Sequence, residues 1–217
     1  NTIGTRNTAL GDNSMTFNTT GICNTAVGFY SLRCNTIGDS NTAIGARAML
    51  ENTTGKNNTA VGLCAMRDNT VGVYNVALGS WAMLLNTEGQ SNIAVGRRAL
   101  ECNSSADNNI GIGQYAGRHN QTGTGNVAIG NQALCCNTTS NLVGIGLHAL
   151  RFNTTGADNV AVGFSALCCN TSGKMNTAIG TCSMRSTTTG IDNAALGYRT
   201  LDLNTTGNCN KIGRAHV

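Results

Sequence analysis

Apolar and polar positions recur along this chain every seventeen residues, and a glycine marks the beat. Gly11, Gly28, Gly45, Gly62, Gly79, Gly96, Gly113 and Gly130 are evenly spaced; one residue is lost before Gly146. Gly163, Gly180 and Gly197 resume the spacing, and Gly213 again arrives one residue early. Val, Ile or Leu precedes each anchor glycine, from Leu10 and Val27 to Ile179 and Leu196, and Ala or Gly stands before that. Three and four residues after the anchor come a small residue and Leu or Met, as in Ser31-Leu32, Ala48-Met49 and Ala99-Leu100, with Ala116-Gly117 the exception. An Asn-Thr-Thr-Gly turn or a variant of it closes the unit, in residues suited to tight turns and positive φ.

Two short segments and two turns per unit predict strands rather than helices, because a convincing helix needs about 8–12 residues. The Gly-x-x-Ala-Leu stretch leaves room for one helical turn per coil. A unit offers two large apolar side chains, worth roughly 1.5–3 kcal/mol each when buried, against roughly 1–2 kcal/mol for ordering each residue. No unit can therefore fold alone. The repeat predicts an all-β, parallel β-solenoid (a β-roll) of about twelve 17-residue coils, ~4.8 Å apart along a rod on the order of 60 Å. Asn opens the first segment of nearly every unit (Asn24, Asn41, Asn58) and the second turn as well (Asn18, Asn35, Asn52), an arrangement that predicts stacked amide ladders. Because Asn1-Thr2-Ile3-Gly4 fits the second half of a unit and Asn210-Lys211-Ile212-Gly213 starts another, residues 1–217 read as a single repetitive segment, truncated at both ends within the repeat.

Composition narrows the function classes. Charged residues make up 11% of the chain, proline is absent, and the net charge is only +4; about 25% charged is usual. No basic run or basic–aromatic interleaving points to nucleic acid, and no stretch approaches the ~18 apolar residues of a membrane span. The ten Asp and Glu scatter over variable positions, and no nucleophile has a histidine in its unit, so the chain does not read as an enzyme and calls for no cofactor. There is no Cys-x-x-Cys, and His119, His148 and His216 occupy unrelated positions, which argues against a metal.

The segments "SNTAIG" (Ser40–Gly45), "NNTAVG" (Asn57–Gly62), "SNIAVG" (Ser91–Gly96), "GNVAIG" (Gly125–Gly130) and "DNVAVG" (Asp158–Gly163) resemble the head repeats of trimeric autotransporter adhesins. They are also similar to repeats of some phage tail fibres and other surface fibres. The resemblance implies a left-handed parallel β-roll, often three chains side by side, serving adhesion or projection. The longer unit, the ten cysteines and the Asn-Thr-Thr turn are departures from that pattern.

The same turn is an N-glycosylation acceptor, Asn-x-Ser/Thr, at Asn18, Asn52, Asn103, Asn120, Asn137, Asn153, Asn170 and Asn204, with Asn57 a ninth elsewhere in the unit. Facing solvent, these turns would carry a stripe of glycans; facing inward, they could carry none. Ten cysteines suit an oxidising compartment, with Cys23 and Cys34, or Cys169 and Cys182, as candidate disulfide partners across a turn. Variable residues just after the anchor, among them Phe29-Tyr30, Trp81, Arg97-Arg98, Tyr115 and Tyr198-Arg199, offer a recognition face or a fibre-contact face. The expectation is an extracellular or cell-surface structural fibre, N-glycosylated and self-assembling with copies of itself. The alternative is an adhesin or viral tail-fibre shaft that binds a host-surface receptor.

Overall fold

The computed structural model describes residues 3–213, and the chain divides into two compact units, Asn1–Asn108 and Asn109–Val217. In the first, six three-residue strands follow one another: β1 (Thr8–Leu10), β2 (Thr25–Val27), β3 (Thr42–Ile44), β4 (Thr59–Val61), β5 (Val76–Leu78) and β6 (Ile93–Val95). In the second come β7 (Ile110–Ile112), β8 (Val127–Ile129), β9 (Val143–Ile145), β10 (Val160–Val162), β11 (Thr177–Ile179), β12 (Ala194–Leu196) and the two-residue β13 (Lys211–Ile212). Within each unit every strand pairs in parallel with the same segment of the next coil, Thr42 against Thr59 and Ile44 against Val61 for example. Each unit is thus a β-solenoid, and the described residues contain no helix.

The stretch after the anchor shows why a helical turn is excluded. Tyr30 (φ 59°) and Leu32 (φ 47°) are left-handed, and the same two positions are left-handed in coil after coil, as at Arg47 and Met49 or His148 and Leu150. A helix needs successive right-handed residues. Here the Ser31 N–H donates back to the Gly28 carbonyl (3.2 Å), while the Leu32 N–H leaves its own coil for the Ala48 carbonyl of the next (3.0 Å). Coil-to-coil bonds take the donors that a helix would use on itself.

Strand parity corrects one expectation about the core. The middle residue of each strand points inward: Ala26, Ala43, Ala60, Ala77 and Ala94 are fully buried. The Val, Ile or Leu before the anchor therefore points outward, and Ile44 remains 40% exposed. A regular coil buries one large apolar side chain, not two: Leu32, Met49, Met66 and Met83 in the first unit, Leu134, Leu150, Leu167 and Met184 in the second. The interior is thin, for a Cβ on Gly144 would meet Leu134 Cγ at 3.0 Å. Asparagines fill the remaining interior columns, which is why the stack needs so little hydrocarbon.

The two irregular spacings resolve differently. The coil ending at Gly146 is shortened in its polar turn, and Leu142, fully buried, takes the inward place that Asn126 and Asn159 hold in neighbouring coils. The Leu142 N–H still donates to Asn126 Oδ1 (3.0 Å), so the backbone bond of the column survives the change of side chain. Gly213 is no anchor. Ala195 pairs with Ile212, which sets Gly213 level with Leu196, and no atom lies near its would-be Cβ.

Candidate functional site

The acceptor asparagines are the first candidates, and the structure turns them inward. Asn18, Asn52, Asn103, Asn120, Asn137, Asn153 and Asn170 are buried, and Asn204 is half-buried. In the first unit Asn35 Nδ2 donates to Asn18 Oδ1, Asn52 to Asn35 and Asn69 to Asn52, each at 2.7 Å. Asn86 donates to Asn69 (2.8 Å) and Asn103 to Asn86 (2.9 Å). The second proton of Asn52 Nδ2 goes to the Gly55 carbonyl of its own turn (3.1 Å). Both amide protons are thus in use, and the nitrogen a glycan would occupy faces protein.

In the second unit the ladder runs Asn170 to Asn153 (2.6 Å) and Asn153 to Asn137 (3.1 Å). It stops where Thr187 replaces Asn. That hydroxyl donates to the Asn204 carbonyl (2.9 Å), so Asn170 Oδ1 is buried without a donor. A second column, Asn24, Asn41, Asn58, Asn75 and Asn92, receives the backbone N–H of each following member, as Asn41 N–H on Asn24 Oδ1 (2.9 Å).

Asn57 stands apart. It lies on the outer turn before β4, exposed, in a left-handed conformation (φ 57°), with its backbone N–H on the Asp39 carbonyl. For the chain secreted from a eukaryotic cell, intact mass before and after enzymatic glycan removal should differ by no more than one glycan, with Asn57 alone converted to Asp. Conversion at Asn18, Asn52 or their counterparts would show that the ladder does not form.

All ten cysteines are free thiols. The candidate partners sit in different columns: Cys23 is on the turn before β2 and bonds the Thr5 carbonyl, whereas Cys34 lies beyond the anchor and bonds Leu50. Cys169 bonds the Arg185 carbonyl and Cys182 that of Phe164, so this pair is also split between two columns of the stack. Cys135 and Cys136 share a side-chain hydrogen bond, and burial with the neighbouring thiol pushes Cys135 up to about 11. Burial likewise raises Cys168, beside Cys169, to about 11. These thiols are protonated at neutral pH and are poor nucleophiles.

The residues after the anchor do gather on one edge of each unit. Phe29 and Tyr30 stack at 3.8 Å, and the Arg33 guanidinium lies over Tyr30 (4.6 Å) and Phe17 (5.3 Å). Arg98 covers Trp81 (4.1 Å), Arg118 covers Tyr115 (5.2 Å) and Arg151 covers Phe152 (4.8 Å). Tyr198 is exposed, and Arg199 pairs with Asp202 (2.9 Å). The fifth residue after each anchor forms a column on this edge: Arg118, Cys135, Arg151, Cys168 and Arg185 stack in consecutive coils. Arg118 and Arg151 both act on Cys135, and Arg151 and Arg185 both act on Cys168.

Among the described residues no cluster of His, Cys, Asp or Glu could hold a metal ion, and no helix is long and apolar enough to cross a membrane. No protein family matches this chain, nor does any curated protein or solved structure.

Proposed function

We propose that this chain is the structural repeat segment of an extracellular fibre that assembles with copies of itself through the outer face of its parallel sheet. The observation that carries the reading is the outward side of β7 to β10. All eight outward strand positions there, from Ile110 to Val162, are Val or Ile and free of charge. They are half-buried to exposed, which monomeric proteins rarely leave as a contiguous patch. The face repeats with the coil spacing of ~4.8 Å, so side chains interdigitate along its length only with a partner of the same pitch. A second copy has that pitch. The interior supports the same reading: its ladders hold the coils without a reactive group, and N-linked sugar has one exposed place, Asn57.

Sedimentation velocity tests the assembly. The unmodified chain should sediment as a dimer or larger species, and Val143→Lys with Ile145→Lys should return it to a monomer with an unchanged circular dichroism spectrum. A chain that is monomeric at high concentration would remove the support for this function.

A further inference from the structure

Two coils of the second unit carry adjacent cysteines that the fibre reading does not use. Cys135-Cys136 and Cys168-Cys169 hold the fifth and sixth positions after their anchors, beyond the strands and off the outer strand face. Within each pair the two side chains are hydrogen-bonded to each other. No other coil holds two cysteines. The stack fixes the backbone of both pairs: the Cys136 N–H donates to the Arg151 carbonyl (3.1 Å), and the Cys169 N–H to the Arg185 carbonyl (3.1 Å).

What a pair can do follows from its span. Cα atoms adjacent across a trans peptide are ~3.8 Å apart, below the ~4.4–6.8 Å of an ordinary disulfide. Direct S–S closure would have to bend a backbone that the next coil holds, so each pair stays a dithiol. An atom bonded to both sulfurs avoids that strain, because it leaves them apart and only replaces the hydrogen bond between them. We infer that Cys135-Cys136 and Cys168-Cys169 are two dithiol sites, each closing on one trivalent arsenic atom that carries a single apolar substituent. The step balances without a redox partner: R–As=O and two S–H groups give R–As(S–Cys)2 and water. Two S–As bonds form while the As=O bond and both S–H bonds break, and arsenic stays trivalent. The oxide oxygen carries both protons away. That suits Cys135 and Cys168, whose thiols burial keeps protonated at neutral pH, because the arsenical brings its own proton acceptor. Phe152, 42% exposed, lies in the coil between the pairs with its N–H on the Cys168 carbonyl (3.1 Å), and gives the substituent an apolar neighbour. The pairs are two coils apart, ~9–10 Å, so one arsenic atom cannot join them. Inorganic arsenite, with three bonds to fill and no apolar group, finds only half of what it needs at either site.

The test titrates the whole reduced chain with phenylarsine oxide at neutral pH and counts adducts by native mass spectrometry. Two C6H5As groups should bind per chain. Trypsin cuts after Arg118, Arg151 and Lys174, so the arsenic should be recovered in peptides 119–151 and 152–174 of the parent. Cys135→Ser should leave one group. Cys135→Ser with Cys168→Ser should leave none at concentrations that saturate the parent, the affinity falling at least about 100-fold, as when the second of two linked contacts is lost. Cys34→Ser with Cys182→Ser, outside both pairs, should still take two. Arsenite should bind more weakly than phenylarsine oxide. No uptake, arsenic recovered in other peptides, undiminished uptake by the double variant of the pairs, or arsenite binding as tightly as phenylarsine oxide would each overturn the proposal.

Discussion

Gly45→Ala is expected to destabilise the first unit by more than about 3 kcal/mol, combining overpacking with backbone strain. A Cβ on Gly45 would lie 2.5 Å from the Gly62 carbonyl oxygen and 2.7 Å from its carbon. Those atoms belong to the backbone of the next coil, which is itself bonded onward to Gly79 and its neighbours, so it cannot retreat without opening the ladder. The φ of +132° adds strain for any residue with a side chain. Gly213→Ala, with nothing near its Cβ, is the matched control and should leave the denaturation midpoint where it was. Because each coil contacts only its neighbours, the damage should be local. Hydrogen exchange should show lost protection in the coils holding β3 and β4 before β6. Equal effects of the two substitutions would mean that the anchor column does not pack as described.

The second large effect is a pH-dependent one. In Asn52→Asp, one carboxylate oxygen can still accept from Asn69, but the other replaces an amide nitrogen that donates to Asn35 Oδ1 and to the Gly55 carbonyl. Acceptor then faces acceptor in a buried column. The protonated acid repairs one of the two bonds, so the folded state holds its proton more tightly than the unfolded chain does, and its pKa is raised. The unfolded carboxyl ionises near pH 4, and above that stability falls by about 1.4 kcal/mol per pH unit until the folded-state pKa is reached. The variant should therefore be closest to the parent in acid and weakest at neutral pH. Asn57→Asp, exposed on its turn, should track the parent throughout. Urea midpoints between about pH 3 and pH 7 measure both, and a pH-independent gap for Asn52→Asp would place that side chain outside the interior.

Both effects rest on columns that the seventeen-residue beat made readable. The glycine repeated from Gly11 to Gly197 marked the register, and the structure adds the reason for it: a Cβ there would meet the glycine of the next coil. The Asn columns were equally legible as ladders. What spacing left open was their direction. Asn18 and its seven counterparts satisfy a glycosylation pattern and a ladder pattern with the same three residues, and only the closed turn, with Nδ2 against the Gly21 or Gly55 carbonyl, shows which way they face.

The seventeen-residue beat predicted the β-solenoid that the structure shows, but the core was misjudged from the same letters. In a three-residue strand such as Thr25-Ala26-Val27, parity turns on which neighbour is inside, and hydrophobicity alone nominates Val27. The buried Asn24 and Ala26 decide it, for with both of them inside, alternation along the strand leaves Val27 on the outer side. That outward turn of Val and Ile creates the apolar face.

By itself, then, the sequence determined the period, the need to stack and the parallel pairing, since these follow from local spacing and the cost of ordering a short unit. Tertiary structure alone decided which side of each short strand and turn is inside. Handing each turn N–H either to its own coil or to the next is a choice between two hydrogen bonds of similar strength, and only the completed stack, with its narrow interior, makes one of them available.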